Sequence, residues 1–426
     1  MIAIDTILFV HPALWAKQFF KQSKDNNCRV FSIVTDFEST HIDEEWLKKN
    51  SDYFFKGSKH PEDDFAEIKK LMDEHHLNPV AVINGIDSAL VYTDYLQKAL
   101  LGYDIDLSQS QKRLNKHQVN ECLLNAGVPA IESVEITSVA DFEQQRSKIE
   151  SFSLPIIAKP SEDTAAMAGF EVLDSFDKIP DYLDRHLGKQ NKFYNSQIVS
   201  KIIIQPYIPI NKFGEYYVDF ISFAGKHHCV GVGEYKKDKN GVFRQAVAYA
   251  IEDNPEIKYI IDYTERVLNA MEVKFGFTHN ELFWDSDQKV FLIESNTRHA
   301  GTPVVQIYDA TYCQRLLDQY LGFVKGDKLD SRIEKSEKYA AVLFLYNYSM
   351  DYPDKIYLEG ISCDSEILSF RGKGKKKINS DFYQSYDRLQ QLAAMVLLID
   401  SNQDNLKKNI STICQREKDG ILFTKG

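Results

Sequence analysis

The chain has 426 residues, of which 43% are hydrophobic and 27% are charged, and its formal net charge at pH 7 is −11. This composition is typical of a soluble globular protein with about two to four domains, and it excludes an intrinsically disordered chain. Because the net charge is negative and the basic residues are scattered, neither nucleic acid nor an anionic membrane is an expected partner.

The opening residues MIAIDTILFV lack the basic region of a secretion signal and indicate a first core strand. No stretch approaches the ~20 apolar residues of a membrane span. The six cysteines lie far apart without a C-x-x-C pair, which favours reduced thiols over a disulfide framework or a zinc site. We therefore expect a cytoplasmic protein.

Strand-like and helix-like segments alternate over the first part of the chain. In order they are DTILFV, WAKQFFKQ, RVFSIVT, FAEIKKLMDEHH and PVAVING. Alternation of this kind predicts a doubly wound α/β domain with a parallel sheet, here over residues 1–112. The first strand continues into HPALW without a G-x-G-x-x-G motif, so no dinucleotide is assigned to this domain.

Antiparallel strands are predicted for most of the remaining chain. A helix follows Asn115 and ends at Gly127, LPIIAKP is a buried strand, and hairpins turn at Ala224-Gly225 and at DSDQ. The strands YAAVLFLYN, KIYLEGI and EILSF, a basic turn RGKGKKK and a final helix pair follow.

The stretch FLIESNTRHAGTP ends an apolar strand with polar residues at alternate positions. Glu294, Asn296 and Arg298 should therefore share one face of the strand, with Phe291 and Ile293 on the other.

If the preceding hairpin turn has an even number of residues, Glu281 joins the same face. Neighbouring carboxylates repel each other unless a cation lies between them. Oxygen ligands suit a hard ion such as Mg²⁺, which leaves its other positions to water and phosphates. The alternative is a solvated strand edge with an ordinary surface ion pair.

Three more charged residues are candidates for nucleotide binding. Lys159 ends an apolar strand before EDTAAMAGF, a loop of small residues that can close over phosphates. Lys116 begins a helix, and Glu215 begins the strand EYYVD. Taken singly, each is more often a solvated surface residue.

Some further residues have an ordinary structural explanation. Tyr235 and Lys237 are candidates for substrate contact or for a solvated strand end. The pair His227-His228 is expected at a turn on the surface rather than on a metal. The RGKGKKK segment is expected to be a solvated turn.

Taken together and in this order, these segments resemble the ATP-grasp superfamily and, within it, carboxylate–amine ligases typified by L-amino acid ligases that make dipeptides. ESNTRHAG is similar to the family's E-x-N-x-R-x-x-G, and HNE, ending at Glu281, is similar to its H-x-E. RLNK, ending at Lys116, looks like the R-x-D-K that opens the ATP-grasp region. IIAKP resembles the strand that supplies a second lysine. GIDSALVYTDYL is similar to an N-terminal segment, so the resemblance covers nearly the whole chain.

The resemblance implies an ATP-grasp fold with an N-terminal pre-ATP-grasp domain over residues 1–112 and a small central lobe over 113–204. A larger antiparallel-sheet lobe with the magnesium site would cover 205–335, and a C-terminal α+β subdomain would cover 336–426. It implies an ATP-dependent ligase that forms an amide bond through an acyl phosphate and releases ADP and phosphate. The expected cofactors are ATP and Mg²⁺, with Mn²⁺ as a substitute. The substrates would be a small carboxylate and an amine, and a homodimer is the commonest assembly for such an enzyme.

The resemblance also implies roles for individual residues. Glu281, Glu294 and Asn296 would hold magnesium, and Arg298 would be the catalytic cation. The segment QPYI lies where the family cradles adenine. The residues implied in nucleotide binding are Lys116, Lys159, Gln205, Tyr207, Ile208, Glu215, Glu281 and Glu294.

The sequence departs from the family pattern in several places. The phosphate loop reads TAAMAG instead of being rich in glycine and serine, Pro206 replaces a common glutamate, the connection PINKFG is long, and Asp87 replaces an N-terminal glutamate. Two alternatives therefore stay open. One is another ATP-grasp activity, of the carboxylase or D-amino acid ligase type, and the other is a nucleotide-binding regulatory protein without turnover.

Overall fold

The computed structural model describes residues 4–13, 16–36, 43–162, 169–190, 198–209, 213–238, 242–249, 255–285, 289–300, 304–312, 315–326, 338–347, 353–370 and 392–424. Within these ranges the strands form four sheets. No helix among them is long and apolar enough to cross a membrane. Most of the EDTAAMAGF loop and the RGKGKKK turn lie outside the described residues.

The N-terminal sheet is parallel. Its strands are β1 (Ile4–Val10), β2 (Arg29–Val34), β3 (Tyr53–Lys56) and β4 (Leu77–Asn84). They pair in the order β3-β2-β1-β4. The flanking helices are α1 (Lys17–Asp25), α2 (Glu44–Asn50), α3 (Pro61–Glu74) and α4 (Leu90–Leu101). Because α1 and α2 cover one face and α3 and α4 the other, the second half of β1 is buried on both sides.

The central lobe contains an antiparallel sheet. After α5 (Leu107–Arg113) and α6 (Lys116–Asn125), its elements are β5 (Val134–Ile136), α7 (Val139–Glu150), β6 (Ile156–Pro160), β7 (Glu171–Leu173), α8 (Ile179–His186) and β8 (Ile202–Pro206). The strand order is β5-β8-β6-β7. Asn115 begins α6 because its Oδ1 accepts a hydrogen bond from the Gln118 amide at 2.9 Å. This cap places Lys116 at the first helical position.

The largest sheet has eight antiparallel strands. They are β9 (Gly214–Phe223), β10 (Lys226–Lys237), β11 (Phe243–Ala248), β12 (Gly276–Trp284), β13 (Val290–Asn296), β14 (Tyr339–Tyr346), β16 (Asp364–Phe370) and β17 (Leu392–Asp400). Their order is β13-β12-β9-β10-β11-β14-β17-β16. The short strands β15 (Lys355–Ile356) and β18 (Phe423–Thr424) pair separately.

Helices cover both faces of this sheet. They are α9 (Pro255–Ala270), α10 (Val304–Tyr312), α11 (Leu316–Val324) and α12 (Gln403–Lys418). Ile260 and Val267 of α9 pack with Val218 and Leu282 on one face. Tyr308 of α10 belongs to a second core that extends to α1 and β1 in the N-terminal domain. The mixed α/β and α+β fold class is therefore confirmed.

The predicted final helix pair is partly wrong. Residues 392–400 form strand β17, which pairs with β14 and β16. The run LAAMVLLID is apolar almost throughout because it is buried between two neighbouring strands, and such a run cannot be distinguished from a buried helix by periodicity. Residues 371–391 lie outside the described ranges. The domain limits after residues 112, 204 and 335 stay predictions.

Candidate active site

Two carboxylates face each other on adjacent strands. Glu281 of β12 and Glu294 of β13 are direct partners in the antiparallel register, and we call this pair the carboxylate wall. Like charges in this position repel. Two cations compensate them, since Lys116 Nζ lies 2.9 Å from Glu294 Oε1 and His279 Nε2 lies 3.4 Å from Glu281 Oε1.

The wall forms by a route that differs from the one predicted. Five residues separate Trp284 from its partner Val290, so an even-length turn is wrong. A register shift between Glu281 and Leu282 restores the parity and places Glu294 opposite Glu281.

The same shift corrects another expectation. Phe291 is the partner of Phe283, which alternates with Glu281 along β12. Because opposed residues share a face, Phe291 lies on the face of the carboxylates and not on the opposite one.

A buried histidine on β12, His279, contacts the carboxylate wall. His279 Nδ1 lies 2.6 Å from Asp219 Oδ1, and its Nε2 lies 3.2 Å from the Tyr235 hydroxyl. Burial alone would lower the pKa of His279, but Asp219 and Glu281 raise it to about 10. Burial would likewise raise the pKa of Glu281, but His279, Lys237 and Arg298 lower it. The Glu281 carboxylate is therefore held in its charged form.

Two lysines from the central lobe approach the wall, and we call them the lysine side. Lys116, at the start of α6, makes the ion pair with Glu294. Lys159, near the end of β6, has a pKa lowered to about 8, chiefly by burial and then by the charge of Lys116, while Glu294 and Glu281 act in the opposite direction. The structure thus brings both predicted lysines to the two predicted glutamates.

Arg298 and Asn296 contact the N-terminal domain. Arg298 Nε donates to Asp87 Oδ2 at 2.9 Å. The Asn296 amide is oriented with its nitrogen toward the Asp87 carboxylate, at 3.2 and 3.3 Å, because the opposite orientation would place oxygen against oxygen. Asn84, at the end of β4, donates to the Thr297 carbonyl at 3.0 Å. One end of the parallel sheet therefore positions the segment that carries Arg298.

The predicted hinge follows the central lobe. Gln205 is buried on β8, opposite Ile157, and the Tyr207 amide donates to the Pro155 carbonyl at 3.1 Å. Tyr207 and Ile208 are half-buried. Their contact with adenine stays a prediction.

Glu215 lies on β9, next to β12. Its carboxylate forms an ion pair with Lys237 of β10, and burial raises its pKa, while Lys237 lowers it. Lys237 Nζ also lies 4.2 Å from the centre of the Phe243 ring. Lys237 is only 14% exposed, so the interpretation of a solvated strand end is wrong.

Other predictions have mixed outcomes. His227 is half-buried, with its Nδ1 2.8 Å from the Ser222 hydroxyl, and burial lowers its pKa. It lies at the β9–β10 turn, as expected, but it is not a fully exposed residue. The described cysteines are free thiols, as the sequence indicates.

A cleft of about 640 Å³, its open mouth included, lies beside the wall. Its lining includes Asp87, Arg113, Lys116, Glu294 and Asn296. The cleft therefore lies where the N-terminal domain, the start of α6 and the end of β13 meet.

The donor set fits a magnesium–nucleotide complex. Two carboxylates and one amide are hard oxygen ligands, and they fill only part of the coordination shell of Mg²⁺, which favours additional phosphate and water ligands. In the described ranges, no group of three or more His, Cys, Asp or Glu residues could hold a metal ion by itself. The donor set of Glu281, Glu294 and Asn296 suits a metal ion that also takes phosphate oxygens as ligands.

Sequence reasoning missed several residues of the site. Asp219 and the contacts of His279 were not predicted, although Glu215, Tyr217 and Asp219 alternate along β9 and so share a face. The contact between Asp87 and Arg298 joins residues 211 positions apart, and no pattern within either segment indicates it.

The fold is similar to that of known ATP-grasp enzymes. The L-amino acid ligase from Bacillus licheniformis matches with a TM-score of 0.71 and 14% identity, over 100% of both chains. An N5-carboxyaminoimidazole ribonucleotide synthetase in its ADP complex matches with a TM-score of 0.67 and 15% identity, over 98% of both chains. The biotin carboxylase from Campylobacter jejuni matches with a TM-score of 0.64 and 14% identity, over 98% of this chain and 94% of the other. The protein has the ATP-grasp fold, as its motifs predict.

Comparison of sequences adds less. No family model matches the chain. The Uncharacterized protein y4rH of Sinorhizobium fredii (strain NBRC 101917 / NGR234) is 22% identical over 244 residues, which are 57% of this chain. The match spans about half of that relative, 48% of its length.

Proposed function

We propose that the protein is an ATP-dependent carboxylate–amine ligase that joins an amino acid to a second amino acid or amine. The observation that carries the proposal is the convergence of Glu281 and Glu294 with Lys116, Lys159 and Arg298 at one site. Opposed carboxylates surrounded by cations are what a magnesium-bound triphosphate requires. The sequence motifs and the ATP-grasp fold support the same assignment.

Nucleotide binding would use both sides of the site. Lys116 and Lys159 would contact the α- and β-phosphates, and Glu215 would contact the ribose. Gln205, Tyr207 and Ile208 would border the adenine. Glu281, Glu294 and Asn296 would hold Mg²⁺, which when bound neutralises the β- and γ-phosphates.

The reaction would have two steps. An oxygen of the substrate carboxylate attacks the γ-phosphorus, and the bond from that phosphorus to the bridging oxygen breaks, so its electron pair leaves with ADP. The amine nitrogen then attacks the acyl carbon, phosphate leaves with the electron pair of the acyl–oxygen bond, and the amine loses a proton.

Arg298 would stabilise negative charge in both steps. A fixed guanidinium stabilises the transferring phosphoryl group and then the oxyanion of the tetrahedral intermediate. Its bond to Asp87 fixes the guanidinium before the substrate arrives, which lowers the reorganisation needed in the transition state. The acyl phosphate must be kept from water, and the EDTAAMAGF loop is the segment we expect to close over it.

The proposal is tested by release of ADP and phosphate from MgATP with paired L-amino acids, small carboxylates and amines, with products identified by mass spectrometry. Release that requires both a carboxylate and an amine, with a product mass equal to their sum less water, supports the ligase. Release with bicarbonate in place of an organic acid would instead indicate a carboxylase. Nucleotide binding without release under any pairing would indicate a regulatory protein.

We also expect a cytoplasmic protein that acts on small molecules, with a homodimer as its assembly. Gel filtration with light scattering tests the assembly directly.

A further inference from the structure

His279 is buried beside the carboxylate wall, and its contact with Glu281 is not needed to satisfy its ring nitrogens. It is 3% exposed and makes close contacts on both edges of its ring, with Asp219 at Nδ1 and with Tyr235 at Nε2. Those two partners already satisfy both ring nitrogens. The ring nevertheless also places Nε2 3.4 Å from Glu281 Oε1.

The register of the sheet fixes this arrangement. His279 and Asp219 are direct partners on β12 and β9, while Glu281 lies two positions further along β12 and therefore on the same face. Glu281 is in turn opposite Glu294. A chain of contacts thus runs across neighbouring strands from Asp219 through His279 to the carboxylate wall.

We propose that His279 is a positioning residue that, oriented by Asp219, holds the Glu281 carboxylate toward Glu294 and so sets the affinity of the site for a divalent cation. This inference rests on the proposed function, because it requires that the wall binds a cation with the nucleotide. His279 Nε2 lies within 4.0 Å of Glu281 Oε1 and is held there by the large sheet itself. Without it, Glu281 could turn away from Glu294, and the two ligands would no longer converge.

The orienting role of Asp219 follows from the geometry. A carboxylate that accepts a hydrogen bond from one ring nitrogen fixes the ring plane and directs the other nitrogen. Asp219 is itself 4% exposed, so it cannot exchange this bond for water without local opening of the sheet. Groups of this kind typically change metal affinity or activity by about 10- to 100-fold when they are replaced.

The test measures cation binding without turnover. Mn²⁺ is titrated into the protein with a non-hydrolysable ATP analogue and followed by electron paramagnetic resonance, and binding of the analogue without metal is measured by calorimetry. His279→Ala should weaken Mn²⁺ binding about 10- to 100-fold while metal-free binding of the analogue is unchanged. His279→Gln, which keeps a hydrogen-bond donor, should recover part of the loss.

The matched control is His227→Ala, which removes a half-buried histidine of the same sheet that contacts Ser222. It should leave Mn²⁺ binding unchanged. Wild-type Mn²⁺ affinity in folded His279→Ala would overturn the inference. If circular dichroism shows that His279→Ala does not fold, Asp219→Asn and Tyr235→Phe are measured in its place. Unchanged Mn²⁺ affinity in both of these variants would also overturn the inference.

Failure of the proposed function gives a different result. In that case the wild-type protein would bind neither the analogue nor Mn²⁺ in its presence. A wild-type protein that binds both, with variants that bind Mn²⁺ equally well, would contradict only the role of His279.

Discussion

The two sides of the candidate site are built in different ways. The carboxylate wall stands on adjacent strands of one sheet, so backbone pairing fixes the distance between Glu281 and Glu294. The lysine side comes from the start of α6 and the end of β6, and its place depends on how the central lobe lies against the large sheet. The wall is therefore preorganised by strand register, whereas the lysine side depends on packing between elements.

This difference has an electrostatic consequence. The charge of Glu281 is compensated within the large sheet by His279, but Glu294 is compensated across the cleft by Lys116. Binding of a magnesium nucleotide would have to rearrange the second ion pair while leaving the first intact. We therefore expect wall variants to affect turnover most, and lysine variants to affect nucleotide affinity most.

The largest effect is expected at the wall. Glu294→Ala should lower the rate of ADP release by at least about 100-fold, which is typical when a preorganised electrostatic group is removed from a transition state. Glu366→Ala, at an exposed glutamate on β16 of the same sheet, is the matched control and should retain full activity. Equal rates in the two variants would remove the wall from the mechanism.

Variants of the lysine side should lose affinity for the nucleotide. Lys116→Ala and Lys159→Ala should each weaken binding of the ATP analogue by about 1.5–3 kcal/mol, the contribution typical of hydrogen bonds to charged groups. Calorimetry measures this loss directly, with exposed Lys178→Ala in the central lobe as the control. If the lysine variants lowered kcat without changing nucleotide affinity, the proposed contrast between the two sides would be wrong.

Loss of the contact between Asp87 and Arg298 should change the affinity for nucleotide less than it changes kcat/KM for the carboxylate substrate. Asp87→Ala leaves Arg298 without its partner at 2.9 Å, so kcat/KM for the carboxylate should fall by about 10-fold while affinity for the ATP analogue is retained. Asp87→Asn, which keeps the shape but not the charge, should be intermediate. Asp73→Ala, at an exposed ion pair on α3, controls for surface changes in the same domain. An Asp87→Ala enzyme with unchanged kcat/KM would contradict the role given to this contact.

The smallest predicted effect is a change in nucleotide affinity with pH. Because the pKa of Lys159 is lowered to about 8, this side chain is charged at pH 7 and loses its proton as the pH rises through 8. Metal-free affinity for the ATP analogue should therefore decrease from pH 7 to pH 9, by less than the loss in Lys159→Ala. Lys159→Arg stays charged over this range and should bind with little pH dependence. Parallel pH profiles for wild type and Lys159→Arg would show that another group is responsible.

The sequence alone predicts many of the strands and helices. Local periodicity predicts β1, β2, β4 and the β12–β13 hairpin but misses the short strand β3, and the resemblance to the ATP-grasp motifs selects Glu281, Glu294, Lys116 and Lys159. These features depend on residues close in the chain, whose preferences are local.

Other features depend on pairing between distant segments. The register shift at Glu281 cannot be read from β12 or β13 alone, yet it decides which residues of β13 share the face of the site. The placement of Asp219 beside His279 requires knowing that β9 pairs with β12. The assignment of β17 depends on its two neighbouring strands, because a buried apolar run has no helical or strand period of its own.

The most direct test of the proposed acyl-phosphate mechanism traces one oxygen atom from the substrate carboxylate to the released phosphate. A mixture of amino acids labelled with ¹⁸O in their carboxyl groups is incubated with the protein and MgATP, and the released phosphate is analysed by mass spectrometry. A ligase that proceeds through an acyl phosphate transfers one labelled oxygen from the carboxylate to each phosphate released. Unlabelled phosphate, or an absence of phosphate release with every pairing of acid and amine, would contradict the account.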